Sequence, residues 1–320
     1  METRVLGKSD VKISPIIMGT WQAGKTDWIG IEDSEIIKAL RAAFEAGITT
    51  FDTAEDYGNG YSEKILGKAL ADVRDQIVYA SKVWSTHLKY DLVIEACHRS
   101  LKNLQTDYLD LYQIHWPAGS WDSEFVPIEE TMLALNHLKQ QGKIRAIGVS
   151  NFSREQIEEA SQYGQIDSLQ PPYSLFWRQI EREEMPYCVE NKITILAYSS
   201  LAQGLLTGKF GLDHQFAEGD NRRDNKLFYN RDNYQRVQQS LSKLGPIAEN
   251  YKCSLAQLAL AWLINQPQTC AIAGSRHWQQ AVENAKAANI KLSAAQLAEI
   301  DAIGRIVTDY LATHPMMWNW

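Results

Sequence analysis

The chain has 320 residues, 45% of them hydrophobic and 22% charged, which supplies enough apolar surface for a sizeable core and speaks against disorder. Its formal charge of −7, with 32 dispersed Lys and Arg, argues against a nucleic-acid partner, because phosphate neutralisation needs clustered cations. No apolar run reaches the roughly 18 residues that would cross a bilayer, and the opening METRVLGKSD lacks a secretory pattern, so a cytoplasmic protein without a membrane partner is expected.

In chain order, residues 4–13 read as a small hairpin that closes the bottom of a barrel. Short apolar runs follow at 16–18, 49–52, 77–81, 111–115, 144–150, 168–170, 194–198 and 270–273, alternating with amphipathic helical stretches. This alternation is the pattern of repeated βα units. It predicts an α/β fold, a (β/α)8 TIM barrel with extra C-terminal helices and loops. Ser153 with Gln156, Ser254 with Gln257 and Ser293 with Gln296 have the spacing of capping boxes, which satisfy free backbone donors at helix starts. Gly47 after the helical run 34–46, and Gly142 after 129–141, stand where helices end in a left-handed residue. With no Pro/Gly-rich linker and no fixed-period repeat, 1–320 reads as one domain. The irregular stretch 211–231 is long for a connection inside a compact domain and is expected to act as a lid. Cys97, Cys188, Cys253 and Cys270 occur singly with no CxxC pair, so neither a zinc site nor a disulfide framework is expected.

Barrels of this kind gather their active sites at the C-terminal strand ends, so polar residues closing apolar runs are the informative ones. Asp52, Lys82, His115, Ser150, Asn151, Gln170, Tyr198 and Ser199 hold such positions, and Tyr57 lies just beyond the second run. These groups support one chemistry, since reducing a carbonyl requires hydride at carbon, a proton at oxygen and a donor that holds the oxygen. A phenol with a reference pKa of about 10 is a poor acid near neutrality. An adjacent ammonium stabilises the phenolate it leaves, and a buried ammonium needs a carboxylate. Tyr57, Lys82 and Asp52 fit those roles, with His115 as the donor to the oxygen. Each alone has an ordinary structural reading, as a turn aromatic, a solvated lysine, a cap or a core histidine. Their convergence on one rim favours a shared role.

The segments FDTAEDYG, ASKVW, LYQIHWP, IGVSNF, LAYSSLAQGLLTGKF and IAGSRHWQQAVENAKA resemble successive signatures of the aldo-keto reductase superfamily, in order and across nearly the whole chain. The resemblance implies a tetrad of Asp52, Tyr57, Lys82 and His115, with NADPH extended across the barrel mouth. It also implies that Ser150, Asn151 and Gln170 hold the nicotinamide carboxamide, that Tyr198 stacks on the ring, and that Gly19, Thr20 and Trp21 border the cofactor. Ser199, Ser200, Leu201, Gln203, Gly204, Leu206 and Lys209 then fall along the pyrophosphate. Gly274, Ser275 and Arg276 fall at a 2′-phosphate, and Gln280, Glu283 and Asn284 near the adenine. A guanidinium just before a helix suits a phosphate and favours NADPH over NADH. Gly274 and Gln280 depart from members that carry lysine and arginine there. Trp21, Trp84, Trp116 and the tail 316–320 are expected to make an apolar substrate pocket. The implied activity is NADPH-dependent reduction of a small aldehyde or ketone by a monomer or weak oligomer. An NAD(P)-dependent sugar or alcohol dehydrogenase and a cofactor-binding redox-sensing subunit are the alternatives.

Overall fold

The structure, a computed structural model, describes residues 1–26, 28, 30–218, 220–224 and 230–311. Strands β3 (Ile16–Gly19), β4 (Thr50–Asp52), β5 (Val78–Val83), β6 (Leu109–Ile114), β7 (Ile144–Ser150), β8 (Ser168–Gln170), β9 (Thr194–Ala197) and β10 (Thr269–Gly274) pair in parallel and close into a barrel. All of the apolar runs read from the sequence form these strands, with ends shifted by one or two residues. A short antiparallel pair, β1 (Arg4–Val5) and β2 (Lys12–Ile13), precedes them.

Five of the helices that wrap the barrel start within one residue of where the sequence places them. Helices α1 (Asp33–Glu45), α2 (Tyr61–Leu70), α3 (Tyr90–Leu104), α4 (Ile128–Gln140), α5 (Arg154–Tyr163) and α6 (Glu184–Asn191) follow successive strands, and α7 (Arg231–Asn250), α8 (Leu255–Ile264), α9 (Trp278–Lys286) and α10 (Ala294–Thr308) complete the described set. Ser153, Ser254 and Ser293 each accept from the backbone three residues on, while the paired glutamine returns a bond to the cap. No helix among the described residues is long and apolar enough to cross a membrane.

Two apolar layers result from the alternation of side chains along each strand. Outward residues such as Tyr79, Tyr112 and Val149 pack under the helices. Inward residues Ile17, Val78, Ala80, Leu111, Ala146, Leu196, Cys270 and Ile272 fill the lumen, and Leu6, Val11 and Ile13 of the N-terminal hairpin seal it from below. The period of two fixes what comes next on the inward face. Above Val78 and Ala80 stands Lys82, above Leu111 stand Gln113 and His115, and above Ala146 stand Gly148 and Ser150.

Candidate active site

At the mouth, the inward face turns from apolar to polar and its groups meet. Asp52 is 3% exposed, Lys82 0% and His115 8%. Register places Asp52 beside Gly19 on one side and Ala80 on the other. Lys82 Nζ donates to Asp52 Oδ1 at 2.7 Å and to the Thr53 carbonyl at 2.8 Å, and lies 3.3 Å from the Tyr57 hydroxyl. The Tyr57 ring stands edge-on to His115 with centroids 5.6 Å apart. All four expected tetrad residues therefore come together.

Local backbone explains how Tyr57 reaches this corner. The turn after β4 passes so close to the loop after β3 that a Cβ on Gly58, at φ +62°, would lie 2.3 Å from the Gly24 carbonyl oxygen. Only glycine tolerates both that conformation and that approach.

Burial sets the protonation states. Loss of hydration, then the charges of Asp52 and Asp56, push the Tyr57 phenol well above its usual range, so it keeps its proton. Burial, and secondarily the Lys82 charge, hold the His115 imidazole well below its usual range, so it is neutral at pH 7. Lys82 is itself lowered by burial, while Asp52 opposes that shift.

A chain of hydrogen bonds joins the tetrad to the expected nicotinamide residues. Gln170 Nε2 donates to Asp52 Oδ2 at 2.8 Å, Ser150 Oγ donates to the Gln170 carbonyl at 2.8 Å, and Asn151 Nδ2 donates to the His115 carbonyl at 3.0 Å. The half-buried Tyr198 donates its hydroxyl to Asn151 Oδ1 at 2.8 Å. Asn151 adopts φ +62°, which turns its amide across the rim.

The other expected contacts divide. Ser275 is buried and accepts from Asn284 at 3.2 Å, and Gln280 accepts the Arg276 backbone N–H at 2.8 Å, which orders the entry to α9. Arg276 lies 4.9 Å over the Trp28 ring, and its Nη2 is buried with no hydrogen-bond partner among the described residues. Gly274 is covered by the Gln22 side chain, and Glu283 is exposed. Around Ser199, Gln203 and Gly204 the backbone takes positive φ, forming a tight turn. Within that segment Leu201 is half-buried and Lys209 exposed. Three of the expected residues engage their side chains within the fold. The Leu206 side chain is fully buried in the outer core. The Ser200 hydroxyl donates to the Ile272 carbonyl, and the Thr20 hydroxyl donates to the Asp52 carbonyl at 2.9 Å. Gly19 packs against Ile272.

The aromatic wall is larger than the sequence indicated. Trp84 stands edge-on to His115 at 5.0 Å, and Trp21 lies 6.5 Å from the Tyr57 ring. Trp116 is 5% exposed and stands edge-on to Trp121 at 5.5 Å. Trp121, 6.0 Å from Trp84, and Trp28, 5.1 Å from Trp21, complete the wall. Neither was singled out from the sequence, although both sit in loops that follow strand ends. The tail 316–320 lies outside the described residues.

The expected lid, 211–231, lies outside the described residues at 219 and 225–229. Of its described residues, Asp220 and Arg222 lie at the Arg276 end of the mouth, while most of 211–218 is exposed. Asp220 is buried and accepts from Arg222 Nε at 2.8 Å, while the Arg222 guanidinium lies 5.6 Å over Trp28 and 4.6 Å over Phe216. Two cations thus flank one indole. Burial first, then the Arg222 charge, lower the affinity of Arg276 for its proton, and Asp220 offsets part of this. Asp220 and Arg222 were not picked out from the sequence, where the run DNRRD was the available signal.

These features fit the two ends of a dinucleotide. One end presents an aromatic ring and amides beside the tetrad, and the other presents a guanidinium with an unused buried N–H.

Comparison with known proteins agrees with this geometry. The model of the Aldo/keto reductase family matches residues 15–305. The chain is 40% identical over 278 residues to aldo-keto reductase YhdN of Bacillus subtilis, spanning 83% of this chain and 82% of that one. It is 37% identical over 310 residues to an NADH-specific methylglyoxal reductase of Escherichia coli, spanning 90% and 94%. Among solved structures, a glycerol dehydrogenase of Gluconobacter oxydans superposes with a TM-score of 0.87 at 31% identity, covering 95% of both chains. An aldo-keto reductase of Klebsiella pneumoniae in complex with NADPH superposes with a TM-score of 0.73 at 31% identity, covering 93% and 95%.

Proposed function

The chain belongs to the aldo/keto reductase family, and from that premise we propose that it is an NADPH-dependent reductase of small aldehydes or ketones in which Tyr57 is the general acid. The observation that carries this reading is the Tyr57 hydroxyl 3.3 Å from the Lys82 ammonium, which is itself held at 2.7 Å by Asp52.

The nicotinamide cofactor, when bound, supplies the hydride. Ser150, Asn151, Gln170 and Tyr198 would hold its ring end, and Ser275 and Arg276 the end that bears the 2′-phosphate. The chain's own residues then handle the oxygen and its proton. His115, neutral because it is buried beside Lys82, cannot be the net proton source at pH 7 and instead donates a hydrogen bond that orients the carbonyl. Tyr57 retains its proton until negative charge develops on the oxygen. The nearby ammonium then stabilises the phenolate, and Asp52 with the Thr53 carbonyl keeps Lys82 charged in a buried site. The wall formed by Trp21, Trp84 and Trp121 excludes solvent and favours apolar substituents on the carbonyl.

Arg276 supports NADPH over NADH. It has a buried N–H with no partner among the described residues, and a second cation, Arg222, lies near the same Trp28 ring. The relative that is specific for NADH makes this preference the point most in need of measurement. Tyr57→Phe removes only the acid. Its turnover of an aromatic aldehyde should fall by at least the roughly 10²–10⁴-fold that a positioned acid contributes, while fluorescence titration returns unchanged NADPH affinity. Wild-type turnover in this variant would refute the assignment.

A further inference from the structure

Behind the mouth, three buried hydroxyls that take no part in the chemistry above form a knot. Thr20, Thr53 and Ser62 are exposed by 3%, 0% and 0%. Ser62 Oγ lies 2.7 Å from Thr20 Oγ1 and 3.0 Å from Thr53 Oγ1, and donates to the Thr20 carbonyl at 2.8 Å. Thr20 Oγ1 donates to the Asp52 carbonyl at 2.9 Å. Each hydroxyl has one proton to give. The knot is satisfied when Thr53 donates to Ser62, Ser62 shares its one proton between the Thr20 carbonyl and Thr20 Oγ1, and Thr20 donates to the Asp52 carbonyl.

Each member of the knot is also tied to a tetrad residue. The Ser62 N–H donates to the Tyr57 carbonyl at 3.1 Å, the Thr20 N–H donates to the Asp52 carbonyl at 3.0 Å, and the Thr53 carbonyl accepts from Lys82 at 2.8 Å. On its opposite side the Tyr57 turn meets Gly24, where a Cβ would come within 2.7 Å of the Tyr57 carbonyl carbon. The turn is therefore wedged between a glycine contact and a serine in the first turn of α2.

We propose that Ser62 is a positioning residue of the reaction: through the Thr20–Ser62–Thr53 knot it sets the distance between the Tyr57 hydroxyl and the Lys82 ammonium. This rests on the reading of Tyr57 as the acid. Ser62 touches no reacting atom, and its hydroxyl acts by fixing the strand ends that carry Asp52 and Lys82 against the turn that carries Tyr57. Removing it leaves the Thr53 donor and the Thr20 acceptor to repack, and the 3.3 Å spacing is the quantity that relaxes.

The test compares Ser62→Ala, Thr53→Val and Thr53→Ser in the full chain. A displacement of about 1 Å at a reacting group can lower the rate roughly 100-fold, so Ser62→Ala should lower kcat by about 10- to 100-fold. NADPH affinity and the KM of the carbonyl substrate should stay within about twofold of wild type, because the binding groups are untouched. Thr53→Val, which keeps the shape and removes the hydroxyl, should move in the same direction by less, and Thr53→Ser should restore kcat. The pH at which kcat falls should shift in Ser62→Ala, which a loss of stability alone does not produce. The proposal is overturned if Ser62→Ala keeps the wild-type kcat and pH profile, if Thr53→Ser is as impaired as Thr53→Val, or if the loss of kcat vanishes well below the Tm of the variant. Tyr57→Phe, measured alongside, separates the two readings. Turnover in Tyr57→Phe overturns the acid assignment and the positioning role with it, whereas an inactive Tyr57→Phe beside an unimpaired Ser62→Ala overturns positioning alone.

Discussion

The floor and the mouth of the barrel both bury charge, but they leave it in different states. At the floor, Asp110 accepts from Arg74 at 2.9 Å, from Arg145 at 2.8 Å and from the Tyr79 N–H at 3.0 Å. Asp167 accepts from Gln165 at 2.6 Å and from the N–H groups of Lys8 and Ile147 at 3.2 and 3.3 Å. These carboxylates are saturated. At the mouth, His115 Nδ1 and Arg276 Nη2 are buried without a partner among the described residues, and the Tyr57 hydroxyl accepts one long hydrogen bond, from the Lys82 ammonium at 3.3 Å. An unsatisfied buried donor costs stability. At the mouth a bound ligand recovers that cost, whereas the floor carboxylates hold the hairpin and strands together.

Substitutions can sharpen this contrast. The largest expected effect belongs to His115→Leu, which should lower kcat/KM by roughly 10²–10³-fold, the usual loss on removing one donor to a reacting oxygen. Its Tm should be unchanged or raised, because the imidazole is buried with an unused nitrogen. A steep fall in Tm would break the contrast. Asp110→Asn should do the reverse. Chemical denaturation should show a loss of about 3 kcal/mol, because two arginines lose a buried partner, and kcat should hold while the protein is folded. A kcat that dropped in step would mean that the floor is coupled to the chemistry. The smallest effect is expected for Arg276→Ala, with NADPH affinity falling about tenfold, or ~1.4 kcal/mol, and NADH affinity nearly constant. Equal losses for both cofactors would remove Arg276 from recognition of the 2′-phosphate.

The sequence was most informative where one residue type at a strand end carries the meaning. Asp52, Lys82 and His115 close apolar runs, and the period of two along those runs already aims them inward. The capping serines and glutamines behaved in the same way, since a cap is decided within four residues. Trp28, Trp121, Asp220 and Arg222 were harder to read, because a loop's side chains are directed by what the loop packs against. Trp121 reaches the wall through a backbone at φ +56°, which no local pattern announced.

By itself, then, the chain determined the alternation of strand and helix, the inward parity of the tetrad and the starts of its helices, all of which depend on neighbours within a few residues. Tertiary structure alone decided that Ser62, Thr20 and Thr53 share one buried knot, that Arg222 and Arg276 flank the same indole, and that Leu206 faces the core. Those outcomes depend on contacts between segments distant in sequence. They arise when the closed barrel brings strand ends and loops to a single rim, and a hydrogen bond or stacked ring exists only once both of its partners have arrived.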